Sequence, residues 1–182
     1  MSVCLVDLTP VRVVSRISRT NHGAKDKKSV ESFARYLLDT NICSYIAKAR
    51  ENGNILNHRV QAHYRRHADR VFISAITVRE LHDWIALPDT PDWQRENARA
   101  LLAELAVRIV PFDTEAEALA LKIADDLQKR GQKLEMADIQ HAAVALRGGF
   151  VFVTHDRHFD RIMGLVHVDW VDLPVEDDSE TP

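Results

Sequence analysis

The chain has 182 residues, with 24 Lys and Arg against 27 Asp and Glu, and 46% of its residues are hydrophobic. This composition is typical of one globular domain with a sizeable core. The two cysteines, Cys4 and Cys43, are far apart in the chain, which argues against a disulfide scaffold or a structural zinc site. No stretch approaches the roughly 18 apolar residues of a membrane span, and the N-terminus lacks the pattern of a signal peptide. We therefore expect a cytoplasmic protein with no membrane contact.

Charge is distributed unevenly along the chain. Residues 1–36 carry seven Lys and Arg against three Asp and Glu, whereas residues 37–182 carry 17 against 24. A protein that binds nucleic acid over a broad face is usually basic. Any polyanionic partner must therefore use a local patch. We expect a flexible or leader segment over residues 1–32, one globular domain over residues 33–175 and an acidic tail over residues 176–182.

Short apolar runs alternate with helix-period segments through the globular part. The runs typical of strands are residues 33–38, 71–74, 108–111, 150–154 and 165–171. Between them, apolar residues at i, i+3, i+4 and i+7 predict helices, with stripes over residues 98–105, 116–127 and 139–146. Strands separated by helices form right-handed crossovers. The sequence therefore predicts an α/β fold with three layers, α/β/α, around a mainly parallel sheet.

Four acidic residues follow or flank the predicted strands. Asp39 ends the first run, Glu80 lies on the helix after the second, Asp156 follows the fourth, and Asp138 opens the helix that leads into the fourth. Ligands of an open α/β sheet collect at the carboxyl ends of its strands. At about 4 to 6 Å each unneutralised pair of carboxylates repels by roughly 3 to 4 kcal/mol. Such a cluster must take up protons or bind cations, and oxygen ligands favour Mg²⁺ or Mn²⁺ over zinc.

Each of these acids also has a structural explanation. Glu80 lies three residues after a threonine and fits a capping box, and Asp138 suits the first turn of a helix. Asp39 and Asp156 are placed to cap the helices that follow them. Asp113 also follows a predicted strand, but the next residues form a complete capping box, so we interpret it as structural.

Five sequence blocks resemble, in order and spacing, the PIN-domain ribonucleases, and the likeness is greatest to the VapC toxins of bacterial toxin-antitoxin pairs. The resemblance spans residues 35–171. The blocks are Tyr-Leu-Leu-Asp-Thr-Asn-Ile-Cys (36–43), Ile-Ser-Ala-Ile-Thr-Val-Arg-Glu-Leu (73–81), Ile-Val-Pro-Phe-Asp (109–113), Ala-Asp-Ile-Gln-His-Ala-Ala-Val-Ala-Leu (137–146) and Phe-Val-Thr-His-Asp-Arg-His-Phe (152–159).

The resemblance implies a Rossmann-like PIN fold, a metal-dependent endoribonuclease and a site. The family's acidic quartet falls on the same four residues, Thr154 matches a hydroxyl beside the metal, and Asn41 matches a polar position after the first acid. The implied cofactor is Mg²⁺ or Mn²⁺, which activates a water for attack on the phosphodiester. The implied partners are a structured RNA, often transfer RNA, a small antitoxin with a DNA-binding domain, and a second copy in a homodimer.

Basic and aromatic residues supply candidate RNA contacts. The densest such cluster of the globular part lies next to Tyr64, and a histidine flanks the fourth acid. The candidates are Arg65, Arg66, Arg70 and His155. Contacts of this kind to phosphate are sensitive to salt. We interpret His63 and His67 as a solvated helix face and His158 as a surface residue.

Three classes of function stay open on these residues. The first is an endoribonuclease toxin that an antitoxin silences. The second is a PIN nuclease in RNA processing, or a PIN protein that regulates through a DNA-binding partner. The third is a different Mg²⁺ enzyme such as a phosphatase, which Asn41 disfavours because a phosphoryl-enzyme mechanism of the haloacid-dehalogenase type needs a second acid there.

Overall fold

The computed structural model describes residues 34–49 and 53–175, so the expected leader over residues 1–32 and the acidic tail lie outside the described residues. The strands are β1 (Tyr36–Leu38), β2 (Val71–Ser74), β3 (Ile109–Val110), β4 (Val151–Val153) and β5 (His167–Val168). The helices are α1 (Thr40–Ala47), α2 (Ile55–Arg66), α3 (Ala75–Ala86), α4 (Asp92–Glu104), α5 (Thr114–Lys129) and α6 (Met136–Gly148). Across the described ranges, no helix is long and apolar enough to cross a membrane.

The five strands form one sheet in the order β3-β2-β1-β4-β5, and every neighbouring pair is parallel. Leu38, the last residue of β1, is in register with Ile73 of β2 and Val153 of β4. The carboxyl ends of the three central strands therefore lie at one edge of the sheet. This arrangement confirms the predicted three-layer fold.

Alternating side chains of the central strands enter two different cores. Leu37 and Phe152 face the core that contains the apolar sides of α5 and α6. Leu38, Ile73 and Val153 face the opposite core, which contains residues of α1, α2 and α4. The period of two in the strands thus requires helices on both faces of the sheet.

The fifth strand is much shorter than predicted. We expected residues 165–171 to be extended, but only His167–Val168 pair with β4. Oδ1 of Asp169 accepts hydrogen bonds from the backbone N–H groups of Val171 at 2.8 Å and Asp172 at 3.4 Å, and this turn ends the strand. Trp170 and Val171 are buried all the same, because the turn places them in the second core.

The end of α2 is packed rather than solvated, so the predicted exposure of its histidines is wrong. His63 is 4% exposed and stacks on Trp170 with ring centroids 5.7 Å apart. His67 lies against Trp170 at 5.8 Å and Tyr36 at 4.8 Å. The helical period alone did not show that a buried tryptophan from a segment about 100 residues later covers this face.

Candidate active site

All four predicted acids lie at the carboxyl edge of the sheet. Asp39 directly follows β1, and Asp156 is the third residue after β4. Glu80 lies in the second turn of α3, which begins as β2 ends. Asp138 lies in the first turn of α6, whose chain then runs back to the start of β4. The parallel sheet therefore brings together carboxylates that are up to 117 positions apart in the sequence.

Asp39 is a buried carboxylate with both oxygens engaged. Its side chain is 7% exposed, Oδ1 accepts from the backbone N–H of Thr40 at 2.7 Å, and Oδ2 accepts from the hydroxyl of Thr154 at 2.8 Å. Burial raises the pKa of Asp39 above 3.8, and the Asp138 carboxylate adds to that rise, although His141 and the two hydrogen bonds lower it. Asp39 also caps α1, which confirms its structural interpretation, and its role as a metal ligand stays a prediction.

Thr154 connects the first and fourth acids. Its hydroxyl donates to Asp39 and accepts a hydrogen bond from the backbone N–H of Asp156 at 3.1 Å. The side chain is 1% exposed, so no water competes for these contacts. The structure thus places this hydroxyl beside two of the acids. Asn41, the second predicted supporting residue, is exposed on α1 at the wall of a neighbouring groove.

Glu80 does not form a capping box. Helix α3 begins at Ala75 with Ser74 as its cap, one turn earlier than the capping box requires. Instead, Oε2 of Glu80 accepts hydrogen bonds from the hydroxyl of Thr40 and from Nε2 of His141, the latter at 3.1 Å. Partial burial opposes ionisation of Glu80, but these two bonds outweigh it and lower the pKa of Glu80 below 4.5.

His141 is a buried residue that the sequence analysis missed. It is 1% exposed, and its Nδ1 lies 3.3 Å from the hydroxyl of Ser74. That hydroxyl lies 3.0 Å from Thr77 Oγ1, which donates to the carbonyl of Leu38 at 3.3 Å. A chain of buried polar groups thus connects Glu80 to the end of β1. A histidine three residues after Asp138, on the same helix face and in an otherwise apolar stripe, was the available indication.

His158 lies between the third and fourth acids, so our interpretation of it as a surface residue is wrong. Its Nδ1 is 2.7 Å from Oδ1 of Asp156, and its Nε2 is 3.1 Å from Oδ2 of Asp138. The second contact lacks the alignment of a hydrogen bond, which leaves Nε2 buried without a hydrogen-bond partner. Burial raises the pKa of Asp138 above 3.8, and the nearby carboxylates add to the rise while both histidines lower it.

The charge of this site suits a cation. Among the ion pairs of the described residues, those of the four acids involve only His141 and His158, with no Lys or Arg. A surplus of carboxylate oxygens of this kind fits Mg²⁺ or Mn²⁺. A separate group of potential ligand side chains, His155, Asp169 and Asp172, brings its ligand atoms within 4.8 Å of one another and includes none of the four acids.

The predicted RNA contacts fall at two different places. His155 follows β4 and is exposed at the edge of the site, where its Nδ1 lies 2.8 Å from Oδ2 of Asp169. Arg65 and Arg66 end α2, and Arg70 directly precedes β2. These three arginines therefore lie at the amino ends of the strands, the opposite edge from the acids.

Asp113 lies away from the site. It caps α5 through a hydrogen bond from the backbone N–H of Ala116 at 3.0 Å, and it pairs with Arg147 at 2.7 Å. Arg147 is in the last turn of α6, the helix that has Asp138 in its first turn. The structural interpretation of Asp113 thus agrees with its contacts, although Asp113 itself rather than Thr114 is the cap.

This geometry has a match among known proteins. The PIN domain family matches residues 36–165, which is 130 of the 182 residues. The chain belongs to the PIN-domain family. The matched range contains strands β1 to β4 and all four acids of the site.

Individual relatives of this PIN domain are similar over nearly their whole length. A protein named Ribonuclease VapC2 from Haemophilus influenzae is 28% identical over 140 residues, which cover 75% of this chain and 98% of the relative. A DNA-bound VapBC structure from Salmonella typhimurium is 25% identical with a TM-score of 0.65, covering 76% and 99% of the two chains. FitAcB from Neisseria gonorrhoeae is 28% identical with a TM-score of 0.63 over the same shares. The resemblance to PIN-domain VapC proteins is thus confirmed.

Proposed function

We propose that this PIN domain is a Mg²⁺- or Mn²⁺-dependent endoribonuclease that acts as the toxin of a toxin-antitoxin pair. The observation that carries the proposal is the set of four carboxylates at one sheet edge whose ion pairs with other described residues involve only histidines. Two independent supports agree with it: relatives that bear the name ribonuclease, and solved VapBC structures with the same fold. The substrate class is structured RNA, and transfer RNA is the first member to test.

The protein's part in the reaction is to hold and orient oxygen ligands. We propose Asp39, Glu80, Asp138 and Asp156 as both the metal ligands and the catalytic residues. A bound Mg²⁺ would polarise the scissile phosphate and lower the pKa of an attacking water. Thr154 fixes the direction of Asp39, and the hydroxyl of Thr40 does the same for Glu80. Because these donors are already in place, little reorganisation is needed when the substrate arrives.

We propose a small antitoxin with a DNA-binding domain as the protein partner. Structures titled VapBC, including one bound to DNA, are similar to this chain, which supports such a partner. The acids also favour it, because an arginine fork pairs with two carboxylates at once and their ion pairs within the described part of the chain include no arginine. A homodimer of the toxin is part of the same proposal, and light scattering of the purified protein tests it. The buried thiol of Cys43 suits a reducing compartment such as the cytoplasm.

The experiment that tests this function measures RNA cleavage and growth together. Purified wild type should cleave RNA with Mg²⁺ or Mn²⁺ and not with EDTA. Expression without an antitoxin should arrest growth, and Asp39→Asn at matched protein level should restore it. Asp113→Asn is the matched control, since it removes an equivalent charge outside the site and should still arrest growth. Cleavage in EDTA would refute the metal nuclease. Normal growth with an active wild type would favour the RNA-processing alternative over the toxin.

A further inference from the structure

Two grooves of different chemistry flank the row formed by Asp138, His158 and Asp156. The first groove has a volume of about 250 Å³ and contains Asp138 and His158 in its wall. The second has a volume of about 320 Å³ and contains Asp156 in its wall. Because His158 contacts both acids, the two grooves meet across a single imidazole ring. A chain molecule that lies in both grooves must pass directly over the acidic centre.

The first groove contains two cations beside the carboxylates of Glu135 and Asp138. Lys133 and Arg161 line it, and neither forms an ion pair within the described part of the chain. Arg161 donates through Nη1 to the carbonyl of Lys133 at 3.2 Å, and Arg130 donates to the carbonyl of Arg161 at 2.8 Å. Arg130 itself pairs with Asp126. Arg130 thus holds the backbone at Arg161 in place, and the charges of Lys133 and Arg161 stay available for an anion.

The second groove combines an aromatic pair with a third cation. Tyr45 and His155 meet edge to face with ring centroids 6.4 Å apart, and Lys48 lies over the ring of Trp84 at 5.3 Å. Three groove residues of α1 and the residue that caps its C-terminus lie at i, i+3, i+4 and i+7, so they share one face: Asn41, Ser44, Tyr45 and the cap Lys48. His155 is held in place by Asp169. Aromatic faces beside a cation are the elements that bind unpaired bases.

We propose that single-stranded RNA crosses the acidic centre in these two grooves. Tyr45 and His155 stack a base on one side of the scissile phosphate, with Lys48 near its backbone, while Lys133 and Arg161 bind a phosphate on the other side. This inference rests on the proposed function and adds the residues that would hold the substrate on either side of the cut. It also gives the exposed Asn41 a position from which its amide can reach a base or a ribose hydroxyl.

Binding to a short fluorescent single-stranded RNA tests the proposal apart from catalysis. All variants are made in full-length Asp39→Asn protein, so that the probe is not cut, and anisotropy is measured over a range of salt. Lys133→Gln with Arg161→Gln should weaken binding to every sequence and lower the magnitude of the salt slope by about 1.4. Lys129→Gln is the matched control, because Lys129 is an exposed cation nearby that pairs with Asp125 outside both grooves.

The variants that test the second groove must keep the fold. Tyr45→Leu retains apolar volume but removes the ring, and it should weaken binding at least about fivefold without changing the salt slope. Tyr45→Phe keeps the ring and should bind better than Tyr45→Leu. Melting curves exclude loss of fold as the cause. An unchanged salt slope in the double variant, equal binding by both Tyr45 variants, or no RNA binding at all would overturn the proposal. Cleavage by the wild type in parallel judges the proposed function separately.

Discussion

Nε2 of His141 lies 3.1 Å from Oε2 of Glu80, and both atoms lie beneath the acidic edge of the sheet. The opposite ring nitrogen faces Ser74, so the imidazole is fixed at both ends. Hydrogen bonds of this kind to a metal-binding carboxylate set its direction, and their loss typically costs 10- to 100-fold in metal affinity. The orientation of Glu80 therefore depends on a histidine that has no place in the acidic quartet.

We predict that His141→Leu weakens Mn²⁺ binding by about tenfold or more. The substitution removes the donor to Glu80 and one contact of the Ser74 hydroxyl, which keeps Thr77 as a partner, so we expect the fold to lose only about 0.5 to 1.5 kcal/mol. His141→Gln restores a donor of similar reach and should recover part of the affinity. Calorimetric titration with Mn²⁺ and melting curves measure the two effects separately. Equal affinity in wild type and His141→Leu would show that His141 serves packing alone.

Asp39→Asn should stabilise the protein at neutral pH when EDTA is present. The pKa of Asp39 is raised above 3.8 in the fold, so the folded state holds this proton more tightly than the unfolded chain. Ionisation of Asp39 therefore costs stability as the pH rises through and above 3.8. The melting temperature of the variant should exceed that of wild type at pH 7, and the difference should vanish at low pH. If Asp39→Asn melts below wild type at pH 7, the buried Asp39 carboxylate does not destabilise the fold and this prediction is wrong.

Glu80→Gln should change the melting temperature at neutral pH in the opposite direction from Asp39→Asn. The pKa of Glu80 is lowered below 4.5, so its ionised form stabilises the fold at neutral pH, and that stability is lost as the pH falls through the lowered value. Glu80→Gln should therefore melt below wild type at pH 7 in EDTA. The two carboxylates thus have opposite effects on stability, although both belong to the proposed site.

Asp156→Asn should impair cleavage less than Asp138→Asn. The Asp156 side chain is 43% exposed against 27% for Asp138, and asparagine caps the short 3₁₀ helix that follows (Arg157–Arg161) as well as aspartate does. We expect Asp156→Asn to lower kcat by about 10- to 100-fold and Asp138→Asn to abolish measurable cleavage. Single-turnover assays at saturating Mg²⁺ compare them. A more severe loss in Asp156→Asn would place the outer of these two acids at the centre of the chemistry.

We predict a loss of stability in acid that comes from His67 and is independent of the active site. Burial lowers the pKa of His67 from 6.5 to about 4, and Arg70 contributes in the same direction. Between pH 6.5 and 4, His67 is therefore protonated in the unfolded chain but neutral in the folded state. The free energy of unfolding falls as the pH drops through that window.

His67→Phe keeps a ring against Trp170 and removes the titration. Over the same pH window the variant should lose about 1 kcal/mol less stability than wild type, a modest figure because the imidazole is only partly buried. Urea unfolding at pH 6.5 and pH 4.5 measures the difference. If wild type and His67→Phe lose the same free energy of unfolding, another group accounts for the acid sensitivity.

The positions of the acids could be predicted because they depend on topology alone. Apolar runs separated by helices require a parallel sheet, and the carboxyl ends of its strands share an edge, so Asp39 and Asp156 had to be neighbours. Glu80 and Asp138 followed from the same reasoning with a helix in between. The sheet order and the two apolar cores agree with that prediction.

The histidines of the site could not be predicted, because their roles depend on contacts across the tertiary structure. His141 lies in an apolar helix stripe and is satisfied by residues 61 and 67 positions earlier. The sequence indicated a surface position for His158, but Asp138 in the first turn of α6 lies against its ring. The length of β5 had a similar cause, since hydrogen bonds that the Asp169 carboxylate accepts from the backbone, rather than hydropathy, end the strand. Helical periodicity places His141 on the helix face of Asp138 but does not identify its partners, and it carries no information about the contacts of His158 and Asp169.

The most direct test of the proposed metal centre is Mn²⁺ binding to the purified protein without RNA. Calorimetric titration should show binding to wild type, no measurable binding to Asp39→Asn, and unchanged binding to Asp113→Asn, whose side chain is engaged by Ala116 and Arg147 far from the site. All three proteins should melt cooperatively. Wild-type affinity in Asp39→Asn, or loss of binding in Asp113→Asn, would contradict the assignment of the four acids as the metal centre.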